Sequence, residues 1–232
     1  INGGSNWGGS AADPTTGYVF VNVSEGGSIG FIEKRKPGAD YGRGTKGSTQ
    51  KYDRASLSGP GAYSAFRASA KGTDGKMHDW PCIKPPWGRL VAVDANTGDI
   101  AWATRLGVSD ALPKGKQDTG LFNTFGGPIV TAGGLVFIGA TADNRFRAFD
   151  SKTGKELWTV KLDYSAQDVP ITYRGKDGRQ YVAVVAAGGV GKRGPDGKFA
   201  NAQSLIAFAL PRAGSDGAAS GGKAPAGQAA TN

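Results

Sequence analysis

Short apolar runs rich in β-branched and aromatic residues recur along the chain, and most are four to seven residues long with Gly, Asp, Asn or Pro at their ends. They fall at 17–23, 90–93, 100–103, 129–131, 135–138, 146–149, 157–161, 169–173, 181–185 and 204–209. Runs of that length bounded by turn formers read as strands. No window repeats apolar residues at the helical period, so the pattern predicts an all-β protein. Composition points the same way. Of 232 residues, 39 are Gly and 12 are Pro, and an interior Gly costs a helix about 1 kcal/mol relative to Ala.

The strands are organised by a repeat. Val-Ala-Val-Asp94-Ala-Asn-Thr97-Gly98-Asp-Ile-Ala-Trp102 aligns with Arg-Ala-Phe-Asp150-Ser-Lys-Thr153-Gly154-Lys-Glu-Leu-Trp158, an offset of 56 residues. A weaker echo, Asp13-Pro-Thr-Thr16-Gly17, lacks the tryptophan. In this frame the Asp carboxylate can bond turn amides and the Gly can supply a positive φ for a tight hairpin. The tryptophan then returns on the next strand, where its ring can fill a wedge between neighbouring sheets. Repeats of about four short strands predict β-propeller blades rather than a sandwich. Asp94 and Asp150 are therefore read as structural.

Two segments depart from the pattern. Residues 33–86 read as a long loop with little strand character, and connections of such length are usually functional or accessory. Residues 212–232 are rich in Gly, Ala and Ser and read as a flexible tail, leaving 1–211 as the patterned region. The net charge is +9, and 33–76 carries ten basic against four acidic residues, so six of the nine charges belong to the insertion. Interleaved stacking aromatics and nucleic-acid fold motifs are both missing from it, and no nucleic-acid partner is expected. A solvated surface is the plainer reading, with an acidic electron-transfer partner or anionic lipid headgroups as alternatives. A single cysteine, Cys82, excludes an internal disulfide and multi-cysteine zinc patterns. It is expected to be a buried or half-buried thiol, with His78 only a weak base candidate for it.

Four ordered segments, together with the repeat, resemble the pyrroloquinoline quinone (PQQ) dehydrogenases. Asn6-Trp7-Gly8-Gly9 followed by Asp13-Pro14 and 17–21 looks like the Asn-Trp motif of those enzymes. Pro81-Cys82-Ile-Lys-Pro-Pro86-Trp87-Gly88 is similar to a segment of the membrane-bound glucose, quinate and polyol dehydrogenases. Gly126-Gly127-Pro128 through Gly139 with Thr141-Ala-Asp-Asn144, and Pro170 to Gly189, are similar to their penultimate and closing regions.

The resemblance implies an eight-bladed propeller of which this chain supplies about three C-terminal blades. It implies a periplasmic quinoprotein, associated with the inner membrane through sequence outside this chain. Such an enzyme oxidises a sugar, polyol or other alcohol and passes electrons to a quinone, a cytochrome or another acceptor. PQQ and Ca²⁺ are the implied cofactors. The catalytic Asp and the metal ligands would lie upstream of Ile1, so no catalytic or metal-binding residue is assigned here and the segment alone is expected to be incomplete as a catalyst.

Asn6 is the residue carried across from the family, as a donor to a quinone oxygen. Trp7 would cover the cofactor or dock two blades. Gly188 and Gly189 would offer backbone donors to PQQ carboxylates. Trp80 and Trp87 would line the substrate entrance or pack on the blade beneath. The competing reading is a non-catalytic propeller scaffold that binds peptides at blade edges.

Overall fold

The computed structural model describes residues 5, 7–42, 47–57, 59–61, 64–122, 125–187 and 204–211. Strands β1 (Ser10–Asp13) and β2 (Tyr18–Ser24) open the first sheet. The chain then leaves it for β3 (Ser28–Ile29), β4 (Phe31–Lys34), β5 (Tyr52–Ser56), β6 (Gly59–Pro60), β7 (Ser64–Ala65), β8 (Arg67–Lys71) and β9 (Met77–Pro81). It returns as β10 (Gly88–Asp94) and β11 (Ile100–Arg105), completing an antiparallel sheet in the order β1-β2-β10-β11. Next come β12 (Ile129–Val130), β13 (Leu135–Ile138), β14 (Arg145–Asp150) and β15 (Glu156–Lys161), hydrogen-bonded in chain order. A third sheet holds β16 (Ile171–Arg174), β17 (Gln180–Ala186) and β18 (Ser204–Phe208). No helix occurs among the described residues.

Each gap between successive sheets has its own core. Phe20, Leu90, Ala92 and Leu106 from the first sheet meet Val136, Ile138 and Phe149 from the second. Phe146 and Leu162 of the second meet Val182, Val184 and Ala186 of the third. Strand β14 therefore buries both faces, sending Phe149 one way and Phe146 the other, as period-two alternation requires. Strands β1 and β12 touch, which makes them the inner edges of neighbouring blades. Two four-stranded sheets followed by a three-stranded one, stacked in series with separate inter-sheet cores, are propeller architecture.

The repeat performs the expected structural work. Asp94 Oδ1 accepts the Asn96 N–H at 2.8 Å, and Asp150 Oδ1 accepts the Thr153 N–H and hydroxyl, each at 2.8 Å. In the weaker copy, Asp13 Oδ1 takes the Thr15 N–H at 2.9 Å. Trp102 crosses from β11 to the next blade's turn, where its indole N–H donates to the Ser151 carbonyl at 3.0 Å. Its ring lies against Gly154, where a Cβ would come within 2.4 Å of an indole carbon. Gly154 is thus required twice, for its φ of 69° and for the ring it supports. Trp158 fills the next wedge, edge-on to Phe208 with centroids 5.2 Å apart.

The insertion between β2 and β10 corrects the expectation of little strand character. It contains three small sheets, β3-β7, β4-β5-β6 and β8-β9. Their hairpins are held by backbone pairing and polar side chains rather than by apolar alternation, and every residue of β8 is exposed. The tail 212–232 lies outside the described residues.

Candidate functional site

Loops leading into the inner strands meet at one end of the blades. Gly8, just before β1, packs so closely on the chain at 126–127 that a Cβ there would sit 2.3 Å from the Gly126 carbonyl carbon. A Cβ on Gly127 would in turn sit 1.8 Å from the Gly8 oxygen. This seam joins two sequence motifs 118 residues apart and fixes where Trp7 emerges. Beside it lies a cavity of about 260 Å³ lined by Trp7, Phe125, Ser165, Gln167, Asp168, Val185 and Ala187.

The 163–168 wall of this cavity is positioned by the Thr141–Asn144 turn. Asn144, at φ 60°, donates its amide to the Asp163 carbonyl at 3.0 Å and accepts the Ser165 hydroxyl at 2.8 Å. Beneath it, Arg147 is almost wholly buried and forms an ion pair with Asp143. Its guanidinium also donates to Thr141 Oγ1 at 3.0 Å, and Asp143 accepts the Val108 N–H at 2.9 Å. Burial pushes the Asp143 carboxyl pKa upward, but the Arg147 hydrogen bonds and charge overcome it and hold the group below the usual carboxylate range. The cluster ties the loop leaving the first blade to the loop that shapes the cavity.

A second concavity of about 410 Å³ opens between the β8-β9 hairpin and the rim of the second blade. Asp110 there is engaged by Arg145 at 2.9 and 3.1 Å and by Lys161 at 2.9 Å. The Arg67 guanidinium lies over Phe122, 4.6 Å from the ring centroid. His78 stacks on Trp80 at 5.4 Å and bonds Asp74 through Nε2 at 2.9 Å. Both Trp80 and Trp87 border this concavity, and Trp87 is buried with its N–H on the Ile83 carbonyl at 2.9 Å.

Of the site residues read from sequence, Trp7 is at the first cavity. Asn6, Gly188 and Gly189 lie outside the described residues, although described neighbours of Asn6 (Trp7) and of Gly188 (Ala187) both line that cavity. Phe125, Ser165, Gln167 and Asp168 carried no signal of their own in the sequence. They belong to loops that only the inter-blade packing brings together. Cys82 is exposed, not buried, because it follows an edge hairpin while Trp87 occupies the covered position beside it. His78 bonds Asp74, and among the described residues no hydrogen bond joins it to Cys82 as base to nucleophile. Among the described residues no three His, Cys, Asp or Glu side chains converge to hold a metal.

Comparison with known proteins settles the lineage. The PQQ family described as glucose/ethanol/alcohol dehydrogenase, β-propeller domain, matches residues 1–182. The chain belongs to this family. It is 38% identical over 228 residues to a quinate/shikimate dehydrogenase (quinone) of Acinetobacter baylyi, spanning 90% of this chain and 26% of that protein. It is 39% identical over 137 residues to the quinoprotein glucose dehydrogenase of Escherichia coli, spanning 56% and 16%. The quinohemoprotein alcohol dehydrogenase of Comamonas testosteroni shares the fold at a TM-score of 0.53 and 22% identity, over 98% of this chain and 28% of that one. The quinoprotein chain thus spans about a quarter of the length of the quinate relative.

Proposed function

We propose that this chain forms the C-terminal blades of a PQQ-dependent dehydrogenase that oxidises a sugar, polyol or other alcohol hydroxyl at the periplasmic face of the inner membrane. Electrons would pass to a quinone or another acceptor, with Ca²⁺ and the catalytic Asp supplied by the rest of the enzyme. Residues 1–211 would be the blade region, carrying its long basic insertion, and 212–232 a tail.

The observation that carries this reading is the glycine seam at 8 and 126–127, which places Trp7 beside Phe125 at the mouth of the inner strands. Two aromatic rings, Val185 and Ala187 suit one wall of a flat heteroaromatic cofactor, with Ser165 and Gln167 as polar contacts. Among the described residues of that wall Asp168 is the one acid, and its Oδ1 already accepts the Val169 N–H at 3.0 Å. PQQ would supply the electron-accepting quinone. Asn6, adjoining Trp7, would donate its amide N–H to a quinone oxygen, a bond that gains strength as negative charge develops there. Gly188 and Gly189, following Ala187, would present backbone N–H groups without side-chain obstruction.

The test uses the complete protein, loaded with PQQ and Ca²⁺ and followed by dye reduction with sugars, polyols and quinate. Reduction that requires PQQ is expected. Asn6→Ala should keep its PQQ and lose roughly 10²-fold in kcat, the usual cost of one donor to a developing oxyanion. A complete protein that holds no PQQ and reduces no dye would instead be a scaffold.

A further inference from the structure

The β4-β5 hairpin of the insertion segregates its charges by face. Pairing sets Ile32 opposite Arg54 and Lys34 opposite Tyr52, and side chains on directly opposed antiparallel residues share a face. All four are exposed, Ile32 at 64% and Tyr52 at 61%. The acids of this hairpin, Glu33 and Asp53, point the other way. There Glu33 accepts the Tyr41 hydroxyl at 3.0 Å and pairs with Lys36 at 2.9 Å, while Asp53 faces Arg35 at 4.0 Å. Tyr41 is buried on that inner side. Lys34 and Arg54 have no acidic partner among the described residues. One face of the hairpin is thus tied to its own loop, with Phe31 on it still 47% exposed, and the other is apolar and cationic with no carboxylate from the hairpin.

We propose that this outer face docks on an anionic phospholipid surface, with Ile32 and the Tyr52 ring entering the headgroup boundary and Lys34 and Arg54 at the phosphates. Its chemistry is that of an interfacial anchor, in which apolar side chains protrude between cations whose stems can extend to the headgroups. Charge complementarity selects the lipid class, since six of the nine net positive charges belong to residues 33–76. Protruding side chains favour a bilayer over an acidic protein, because a protein would need pockets shaped to receive them and lipid does not. The proposal is independent of the oxidation chemistry.

The test places a polarity-sensitive fluorophore at Ile32→Cys in the complete protein, on a Cys82→Ser background. Vesicles holding about one-third phosphatidylglycerol should shift its emission to the blue, and nitroxide-labelled lipids should quench it. Pure phosphatidylcholine should do neither, and about 0.5 M NaCl should reverse the effect. Lys34→Gln and Arg54→Gln should each lower vesicle affinity roughly fivefold. Several results would overturn the proposal: no shift on anionic vesicles, an equal shift on neutral ones, or a probe shielded from iodide before any vesicle is added. Shielding by soluble polyglutamate but not by vesicles would assign the face to an acidic protein instead.

Discussion

The contact between Trp102 and Gly154 shows how a single pair of residues fixes blade spacing. Trp102 contributes ring area against the next turn and one hydrogen bond to the Ser151 carbonyl. Trp102→Phe keeps most of the area and loses the donor, so it should cost about 1 kcal/mol in equilibrium unfolding of the complete protein. Trp102→Ala empties the wedge and should cost about 3 kcal/mol. Gly154→Ala should be worse than Trp102→Phe, because the new methyl meets both a left-handed backbone and the indole ring. Equal effects of Trp102→Phe and Trp102→Ala would show that the ring carries nothing beyond its N–H.

The buried pair Asp143–Arg147 makes a different prediction at the same scale, one that depends on pH. Asp143 titrates below its ordinary range in the folded protein and near 3.9 when unfolded. A carboxyl depressed by folding stabilises the fold above its unfolded pKa, and that stabilisation is lost as pH falls through the folded value. Asp143→Ala leaves Arg147 buried without its main partner and should cost about 3–5 kcal/mol at neutral pH. The difference in Tm between wild type and variant should therefore be widest at neutral pH and shrink below about pH 4. A difference that stays constant down to about pH 2 would exclude ionised Asp143 as the source.

At the scale of elements, the sequence was legible where strands need β-branched and aromatic residues to fill inter-blade cores. Strands β2, β10, β14 and β17 all follow that pattern, and the Asp-x-x-Thr-Gly frame marked the turns before β11 and β15. It was silent where pairing rests on the backbone. Strand β1 reads Ser-Ala-Ala-Asp and β8 reads Arg-Ala-Ser-Ala-Lys, and neither offers a large apolar side chain to set a period. The cavity was legible only at Trp7, through a motif. Its other walls come from 125, 165–168 and 185–187, and no local signal links these segments because the Gly8–Gly127 seam and the Asn144 bonds act across the fold. The charge of the insertion was visible in composition, but its segregation by face required the β4-β5 register.

At the scale of the whole molecule, the two terminal sheets each keep one unpacked face. On the third sheet, Ile171, Tyr173, Val185 and Leu205 point away from the inter-sheet core and are 58%, 45%, 38% and 74% exposed. On the first, Val19, Val21 and Val23 alternate with the buried Phe20 and Asn22 positions and remain only half covered, although Val91 opposite Val21 is buried. The middle sheet is packed on both sides, and its exposed apolar side chains, Leu157 and Trp158, lie on the edge strand β15. Apolar faces of this kind mark missing neighbours or aggregation sites, and a propeller removes them by placing another blade against each. Residues 1–232 expressed alone should therefore self-associate, with light scattering that rises with concentration and a broad thermal transition. Adding the remaining blades in the same polypeptide should give a monodisperse species with a single sharp transition, because each terminal face then acquires a core like the two already formed. A monomeric, cooperatively melting 232-residue chain would mean that these faces tolerate water, and that the three sheets form a self-sufficient unit.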